Sequence, residues 1–280
     1  MNEIIIEDIK SEVKGLNISK WEDFKKYHEL RDLLLDNGFI NNDDATLKEA
    51  YFKIFPTNEP LEKELKTSLK DILSNDETAR LESSKHLEKA PRKVGNMVDA
   101  LWLKEPRTIE ILCKALDNET NDKILENIIL CLGSIARRYN YNNIEIFNKI
   151  VSKFENANDR LKIRIAQSCG HFTVIKKWEY IYEALDCKPK KDAITILNIH
   201  LQNQHKKIPT EFKQKFKEKL LVEFYNEKNK NEKVKATAVD TAIVLMQKED
   251  LEELKKIRDN YSILASTKDI IKEKIEELEN

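Results

Sequence analysis

Three pairs of adjacent basic residues follow helix-like apolar segments in the middle of the chain. The pairs are Arg92-Lys93, Arg137-Arg138 and Lys176-Lys177. Aromatic residues lie beside two of the pairs, Tyr139 and Tyr141 beside one and Trp178 and Tyr180 beside the other. Cations beside aromatic rings either anchor a protein partner or hold phosphates while the rings stack on bases. The alternative is a structural role, because cations near helix C-termini also offset the helix dipole.

Polar positions within the helical segments form a second candidate surface. By register, the residues expected on one shared face are Glu82, Lys85, Glu126, Asn127, Arg164, Gln167, Thr237 and Asp240. This mixture of charges favours a protein partner, because a nucleic-acid groove carries one dominant sign. Arg164 and Gln167, together with His171 at a predicted bend, join the basic pairs and the aromatic residues as candidates for partner binding.

The histidines and cysteines do not form a recognisable catalytic or metal-binding pattern. We expect His171 to be the most exposed histidine, and His86 and His200 to be partly buried. The four cysteines lie far apart without a CxxC motif, which predicts reduced, buried thiols. No nucleotide-binding loop, nucleophile elbow, zinc motif or calcium loop is present. We therefore expect no enzymatic activity, no cofactor and no metal.

The formal net charge of −1 hides an uneven distribution along the chain. Residues 1–78 carry a net charge of −7, residues 79–235 of +10 and residues 236–280 of −4. A basic middle attracts anions, so we expect a protein partner with an acidic patch, with nucleic acid as the alternative. No apolar run approaches the ~18 residues of a transmembrane helix, and the first residues lack the basic leader of a signal peptide. We expect a cytoplasmic protein that does not bind membranes.

The elements that carry these residues have a helical pattern throughout. Only five glycines and six prolines occur in 280 residues, whereas folds built from strands and turns need many more. Apolar residues recur three and four positions apart in segments such as LEKELKTSLKDIL and FKQKFKEKLLVEF, as in amphipathic helices. Pro106 and Pro209 are predicted to open helices.

A helical unit recurs about every 40 residues along the chain. The Asn residues predicted to cap its copies are Asn75, Asn121, Asn158 and Asn231. Small residues later in each copy let helices approach closely. Two copies reach Gly133 and Gly170, where we expect the helix to stop. A single antiparallel pair cannot bury its apolar faces, whereas a stack of pairs can.

The segments NDRLKIRIAQSCG and NEKVKATAVDTAI resemble the inner helix of the HEAT repeat. That helix reads Asp, Val-Arg, paired alanines and Leu-Gly, and the matching positions are Asp159, Leu161, Lys162, Ala166 and Gly170. The resemblance implies an all-α fold, a right-handed α-solenoid of about five stacked antiparallel helix pairs. We expect this solenoid over residues 57–280, continuous with an N-terminal cap of helices over residues 1–56, which do not repeat.

The HEAT-like resemblance implies a binding role, which the absence of catalytic motifs also favours. We expect a non-catalytic protein-binding scaffold, adaptor or inhibitor that uses the concave face of the solenoid and its basic and aromatic edge. The richness in Asn, Lys and Ile suggests a bacterial source, where a toxin-neutralising immunity protein is one such role. The alternative is a nucleic-acid-binding protein related to alkylpurine DNA glycosylases, with Trp102 and Asp99, or Trp178 and Arg164, as its candidates. A lyase acting on a bound pigment has no support from the Cys and His positions.

Overall fold

The regular structure of the described residues is helical, which confirms the all-α prediction for this part of the chain. The computed structural model describes residues 2–17, 20, 22–23, 26–27, 29–30, 33, 59–93, 103, 106–138, 141–204, 207–261 and 263–279. The helices are α1 (Asn2–Lys14), α2 (Glu59–Asp71), α3 (Glu77–Lys93), α4 (Pro106–Asn118), α5 (Asp122–Arg138), α6 (Ile144–Val151), α7 (Asp159–Cys169), α8 (Lys177–Ala184), α9 (Lys190–Gln204), α10 (Thr210–Tyr225), α11 (Glu232–Ile243), α12 (Leu251–Asn260) and α13 (Ala265–Glu279). A short 3-10 helix, Lys248–Asp250, precedes α12. No helix of these described ranges has both the length and the apolar character needed to cross a membrane.

Asparagine side chains cap the first turns of three helices that carry the recurring sequence pattern, as the sequence predicts. The Oδ1 atoms of Asn121, Asn158 and Asn231 accept backbone N–H groups in the first turns of α5, α7 and α11, at 2.9, 2.9 and 3.2 Å respectively. Each bond satisfies a donor that the helix itself leaves unpaired. The cap predicted at Asn75 is wrong, because α3 begins one residue later than the repeat pattern suggests. Asp76 accepts the Thr78 N–H there, at 2.9 Å.

Gly133 and Gly170 serve close helix packing. The prediction that α5 stops at Gly133 is wrong, since the helix continues to Arg138. A Cβ atom at Gly133 would lie 2.6 Å from the Cβ of Ser168 on α7. Gly170 does end α7, in right-handed backbone geometry, and a Cβ there would lie 2.1 Å from the His200 ring on α9. Both positions need glycine because a neighbouring helix occupies the space of a side chain.

The contacts of the chain divide it into two compact units. The first comprises residues 1–119 and 138–141, and the second comprises residues 120–137 and 142–280. In the first unit α2 packs against α3 and α4. Its buried apolar side chains include Leu65, Ile72, Leu87 and Leu112. The predicted boundary between residues 56 and 57 lies in a stretch outside the described residues and stays a prediction.

In the second unit, helices contact their neighbours along the chain and helices two places further on. Helix α7 contacts α6, α8 and α9, and α8 contacts α10 as well as α9. Helix α11 contacts α9, α10 and α13, and α12 contacts α13. Each of these helices therefore packs against helices that are close to it in sequence. The candidate site lies at the C-terminal ends of α5, α7 and α9.

Aromatic side chains fill the core of the second unit. Phe147, Phe172, Trp178 and Phe216 are almost completely buried. Phe147 meets Phe172 edge-on with ring centroids 5.9 Å apart, and Trp178 meets Phe216 at 6.1 Å. Such contacts add about 0.5–1.5 kcal/mol each beyond the burial of their apolar area. The four cysteines are buried and free, which confirms the prediction of buried thiols.

Candidate partner-binding site

The predicted basic pairs differ in how their charges are used. Arg137 and Arg138 end α5 and are exposed, and neither forms an ion pair within the described part of the chain. Arg92, in the first unit, forms an ion pair with Glu88 one turn earlier on α3, with one bond at 2.5 Å. The side chain of Lys93 and all of Tyr139 lie outside the described residues. Tyr141, which belongs to the first unit, is half-buried.

The prediction that Lys177 and Trp178 contact a partner directly is wrong, because both side chains are buried. Trp178 is 1% exposed and Lys177 is 5% exposed. The Lys177 ammonium donates to the carbonyl oxygens of Gly170 at 3.1 Å and Phe172 at 2.6 Å, and to Oε1 of Gln204. The first turn of α8 faces the core, and the carbonyls at the end of α7 need donors. Lys177 therefore supports the preceding loop from inside.

The loop of residues 170–176, which joins α7 to α8, is held by side chains from three elements. Besides Lys177, Gln204 at the end of α9 donates its Nε2 to the Gly170 carbonyl at 2.9 Å. Before α6, Asn142 accepts the Thr173 N–H on its Oδ1 at 3.1 Å. The loop is therefore a fixed platform, and Ile175 and Lys176 are exposed on it.

Burial lowers the Lys177 pKa to about 8, and the charge of Lys207 contributes to the shift. The ammonium keeps its proton near pH 7, because three oxygen acceptors surround it. No sequence pattern indicates this arrangement, since Gln204 lies 27 residues further along the chain.

The histidines at the same end of the helices are neutral and packed together. The rings of His171 and His200 meet edge-on with their centroids 5.2 Å apart. Burial, together with the charges of Arg137 and Lys177, lowers the pKa of His171 to about 4. Burial likewise lowers the pKa of His200 to about 3, and its Nε2 has no hydrogen-bond partner among the residues that the structure describes. The arrangement keeps both rings uncharged at neutral pH.

Two of the expected histidine exposures are wrong. His171 is half-buried, because its ring packs against His200. His86 is instead exposed on α3, where its Nδ1 lies 3.1 Å from a carboxylate oxygen of Glu64. His200 is almost completely buried. The helical register predicts which histidines face a neighbouring helix. It does not predict how closely that helix approaches, and this distance decides how much of each ring is buried.

We name the group Arg137, His171, Ile175, Lys176 and Lys207 the basic loop patch. Arg137, Lys176 and Lys207 are exposed, and none of the three forms an ion pair within the described ranges. The field of Arg137 reaches His171, and the field of Lys207 reaches Lys177 beneath the loop. An anion placed here would meet several cations whose charge is not offset. Lys207 and Ile175 were not among the residues that the sequence predicted.

Arg164, also predicted as a partner-binding residue together with Gln167, belongs to a second cluster that we name the Glu126 network. The members of this network are Lys123, Glu126, Arg160 and Arg164. Nitrogen atoms of Lys123, Arg160 and Arg164 lie 3.1 Å from the Glu126 carboxylate oxygens. Arg164 also donates to Oε1 of Gln167 at 3.0 Å. The predicted exposure of Glu126 and Asn127 is wrong, since both are buried.

The Glu126 carboxylate is ionised although it is buried. Burial opposes ionisation, but hydrogen bonds from Arg160 and Lys123 outweigh it and lower the pKa of the carboxyl group. The network links α5 to α7 across 34 residues of sequence. Its cations therefore hold helices together and have less charge to offer a partner.

The first unit contains a comparable internal pair beside a cavity of about 350 Å³. Arg80 donates through Nε to Glu119 at 2.8 Å and through Nη1 to the carbonyls of Ser74 at 3.0 Å and Asn75 at 3.2 Å. The charge of Arg80 is therefore satisfied within the first unit.

Among the residues that the structure describes, no group of three His, Cys, Asp or Glu side chains could hold a metal ion.

Comparison with protein-family models, with curated proteins and with solved structures finds no match for this chain.

Proposed function

We propose that the protein is a non-catalytic helical-repeat protein that binds an acidic surface of a protein partner through the basic loop patch. The observation that carries the proposal is a set of three exposed cations that form no ion pair with the described residues, at or next to the ends of helices joined by a firmly held loop. These cations are Arg137, Lys176 and Lys207. Unpaired rim charges raise association rates and select partners of opposite charge. A scaffold, adaptor or inhibitor, including a toxin-neutralising immunity protein of bacterial origin, uses its surface in this way.

The helical contacts of the second unit support the HEAT-like solenoid as the scaffold of this surface. Stacked antiparallel pairs give contacts between neighbours and between alternate helices, as among α7, α8, α9, α10 and α11. In such a stack the turns between helices lie in rows at the two edges. The basic loop patch lies at one such set of turns, since its residues end α5, follow α7 and follow α9.

Nucleic acid is the alternative ligand, because unpaired cations also bind phosphates. A glycosylase-like site requires an exposed tryptophan against which a base can stack. Trp178 is 1% exposed, so the pair formed by Trp178 and Arg164 does not support that role. Trp102 and Asp99 lie outside the described residues.

Affinity capture from cells that express the protein tests the proposal. We compare the wild type with an Arg137→Glu, Lys207→Glu variant and with a Lys230→Glu, Lys233→Glu control of equal charge change. Lys230 and Lys233 are exposed beyond the far end of α10, and a helix of that length spans about 24 Å. We expect a protein that the wild type and control retain and the patch variant loses.

Two results would contradict the proposal. The first is an identical set of captured proteins for the wild type and the patch variant. The second is capture that a nuclease abolishes, which would favour the nucleic-acid alternative.

A further inference from the structure

Ile175 is the apolar member of the basic loop patch and lies in the loop that joins α7 to α8. It is 70% exposed, and it directly precedes the unpaired cation Lys176. Its main chain is ordered, because its carbonyl accepts the Trp178 N–H at 3.2 Å and Trp178 is fixed in the core. The Ile175 side chain therefore adds little to the fold, although the backbone beneath it is held in place.

The loop that carries Ile175 is held in place by contacts within the protein itself. Phe172 is 1% exposed and anchors the loop in the aromatic core. Lys177, Gln204 and Asn142 bind the loop backbone from α8, from α9 and from the segment before α6. A partner that covers Ile175 does not have to order this loop, so little of the binding free energy is lost to conformational entropy.

Cations alone would make this patch a weak binding surface. Exposed ion pairs contribute about 0–1 kcal/mol each and are screened by salt. Stable protein interfaces place a desolvated apolar anchor at the centre and charges at the rim. Ile175 lies next to Lys176 in the loop, between His171, whose pKa the charge of Arg137 lowers, and Lys177, whose pKa the charge of Lys207 lowers.

A second exposed apolar residue extends the surface. Ile144, at the start of α6, is 53% exposed. It lies two residues after Asn142, whose side chain holds the Thr173 N–H of the loop. Phosphates offer an isoleucine no apolar contact, and among base edges only the thymine methyl group does, so the combination of apolar and basic residues favours a protein ligand.

We propose that Ile175 is the apolar anchor of the basic loop patch, and that the partner supplies a segment in which carboxylates alternate with large apolar side chains. This inference rests on the proposed function and names the chemistry of the partner at the same site. The carboxylates meet Arg137, Lys176 and Lys207, while an apolar side chain covers Ile175. An acidic segment without apolar side chains can contact the three cations but cannot cover Ile175.

Two synthetic peptides test the inference on the full-length protein. Both carry the same number and spacing of glutamates, with leucines between them in one peptide and alanines in the other. We measure binding by fluorescence anisotropy and expect the leucine peptide to bind about tenfold more tightly to the wild type, which corresponds to about 1.4 kcal/mol. Ile175→Ser should reduce that preference to about onefold, because it removes only the apolar anchor.

The matched control is Val222→Ser. Val222 is 71% exposed on α10, so this variant loses an equally exposed apolar side chain outside the patch, and it should keep the full preference for leucine. Arg137→Glu with Lys207→Glu should weaken the binding of both peptides. Thermal unfolding of each variant shows whether the fold is intact.

The outcomes separate this inference from the proposed function. Equal binding of the two peptides to the wild type, or a leucine preference that survives in Ile175→Ser, would overturn the anchor role and leave an acidic partner intact. Failure of both peptides to bind would also overturn the inference, and the charge-reversal capture experiment then decides the function independently. Complete competition of the leucine peptide by single-stranded DNA of equal charge would overturn the protein class of ligand.

Discussion

The Glu126 network and the basic loop patch are both rich in cations, but their charges are used differently. In the network, three cations surround one carboxylate that is 6% exposed. In the patch, Arg137, Lys176 and Lys207 form no ion pair within the described residues. Cations that share a buried carboxylate stabilise helix packing, whereas cations without one remain available to an external anion.

The difference follows from what each cluster surrounds. At the network, the carboxylate of α5 needs the arginines of α7, because an isolated buried charge is strongly unfavourable. At the patch, the buried groups are the neutral rings of His171 and His200 and the ammonium of Lys177, which backbone carbonyls satisfy. The exposed cations there form no ion pair with any described residue, although the Lys176 ammonium lies 6.0 Å from the centroid of the Tyr180 ring. The comparison therefore predicts opposite effects of mutation in the two clusters.

The largest expected effect comes from adding a methyl group where helices meet most closely. Gly133→Ala near the network and Gly170→Ala beneath the patch should each lower the free energy of unfolding by about 3 kcal/mol, because overpacking displaces buried neighbours. Gly15→Ala is the control, since its Cβ would meet only the Glu12 carbonyl at 3.6 Å. Urea unfolding measures all three variants. A Gly170→Ala protein as stable as the control would show that the His200 packing is not tight.

Neutralising Glu126 should have the next largest effect. Glu126→Gln leaves three cations around a neutral amide and should lower the free energy of unfolding by about 2 kcal/mol, less than for fully buried pairs because the cations are partly exposed. Glu232→Gln, an exposed substitution at the start of α11, should change it by less than about 0.5 kcal/mol. If the two substitutions changed the free energy of unfolding equally in urea, the Glu126 network would not stabilise the fold.

Acid should distinguish the two clusters by the pH at which each loses stability. His171 and His200 have pKa values of about 4 and about 3, below the ordinary 6.5. The unfolded chain therefore binds more protons in this window, and stability falls as the pH drops from about 6.5 toward 4. Glu126 has a lowered pKa, so its contribution is lost only below its unfolded value of about 4.5.

Denaturant unfolding at several pH values tests this separation. Between about pH 6.5 and about 5, His171→Gln should reduce the loss of stability by about 1–2 kcal/mol, because one proton-linked site is removed. Glu126→Gln should show the same pH dependence as the wild type in that window. A flat profile for Glu126→Gln, or an unchanged one for His171→Gln, would contradict the assignment.

The smallest expected effect on stability belongs to the exposed cations of the patch. Arg137→Ala and Lys207→Ala should each change the free energy of unfolding by less than about 0.5 kcal/mol, because both side chains are exposed and neither forms an ion pair with a described residue. Binding of the acidic leucine peptide should nevertheless weaken in both variants. Destabilisation comparable to that of Glu126→Gln would mean that these cations serve the fold.

Much of the helical architecture could be predicted because its causes are local. The caps at Asn121, Asn158 and Asn231 depend on residues within one turn, and Pro106 and Pro209 begin helices for equally local reasons. The site was predicted in part, since Arg137, His171 and Lys176 were named as candidates. Ile175 and Lys207 were missed, because an isolated isoleucine or lysine has no distinctive spacing.

The sequence by itself determined the helices, their caps and the basic character of the turns, because short-range hydrogen bonding and periodicity encode them. Only the tertiary structure decided that Lys177 points inward to the Gly170 carbonyl while Lys176 remains exposed. It also decided that Gly133 lies inside a helix and that Arg164 is bound to Glu126. These outcomes depend on contacts between residues that are 7 to 38 positions apart, and on which neighbouring helix fills the space beside each one.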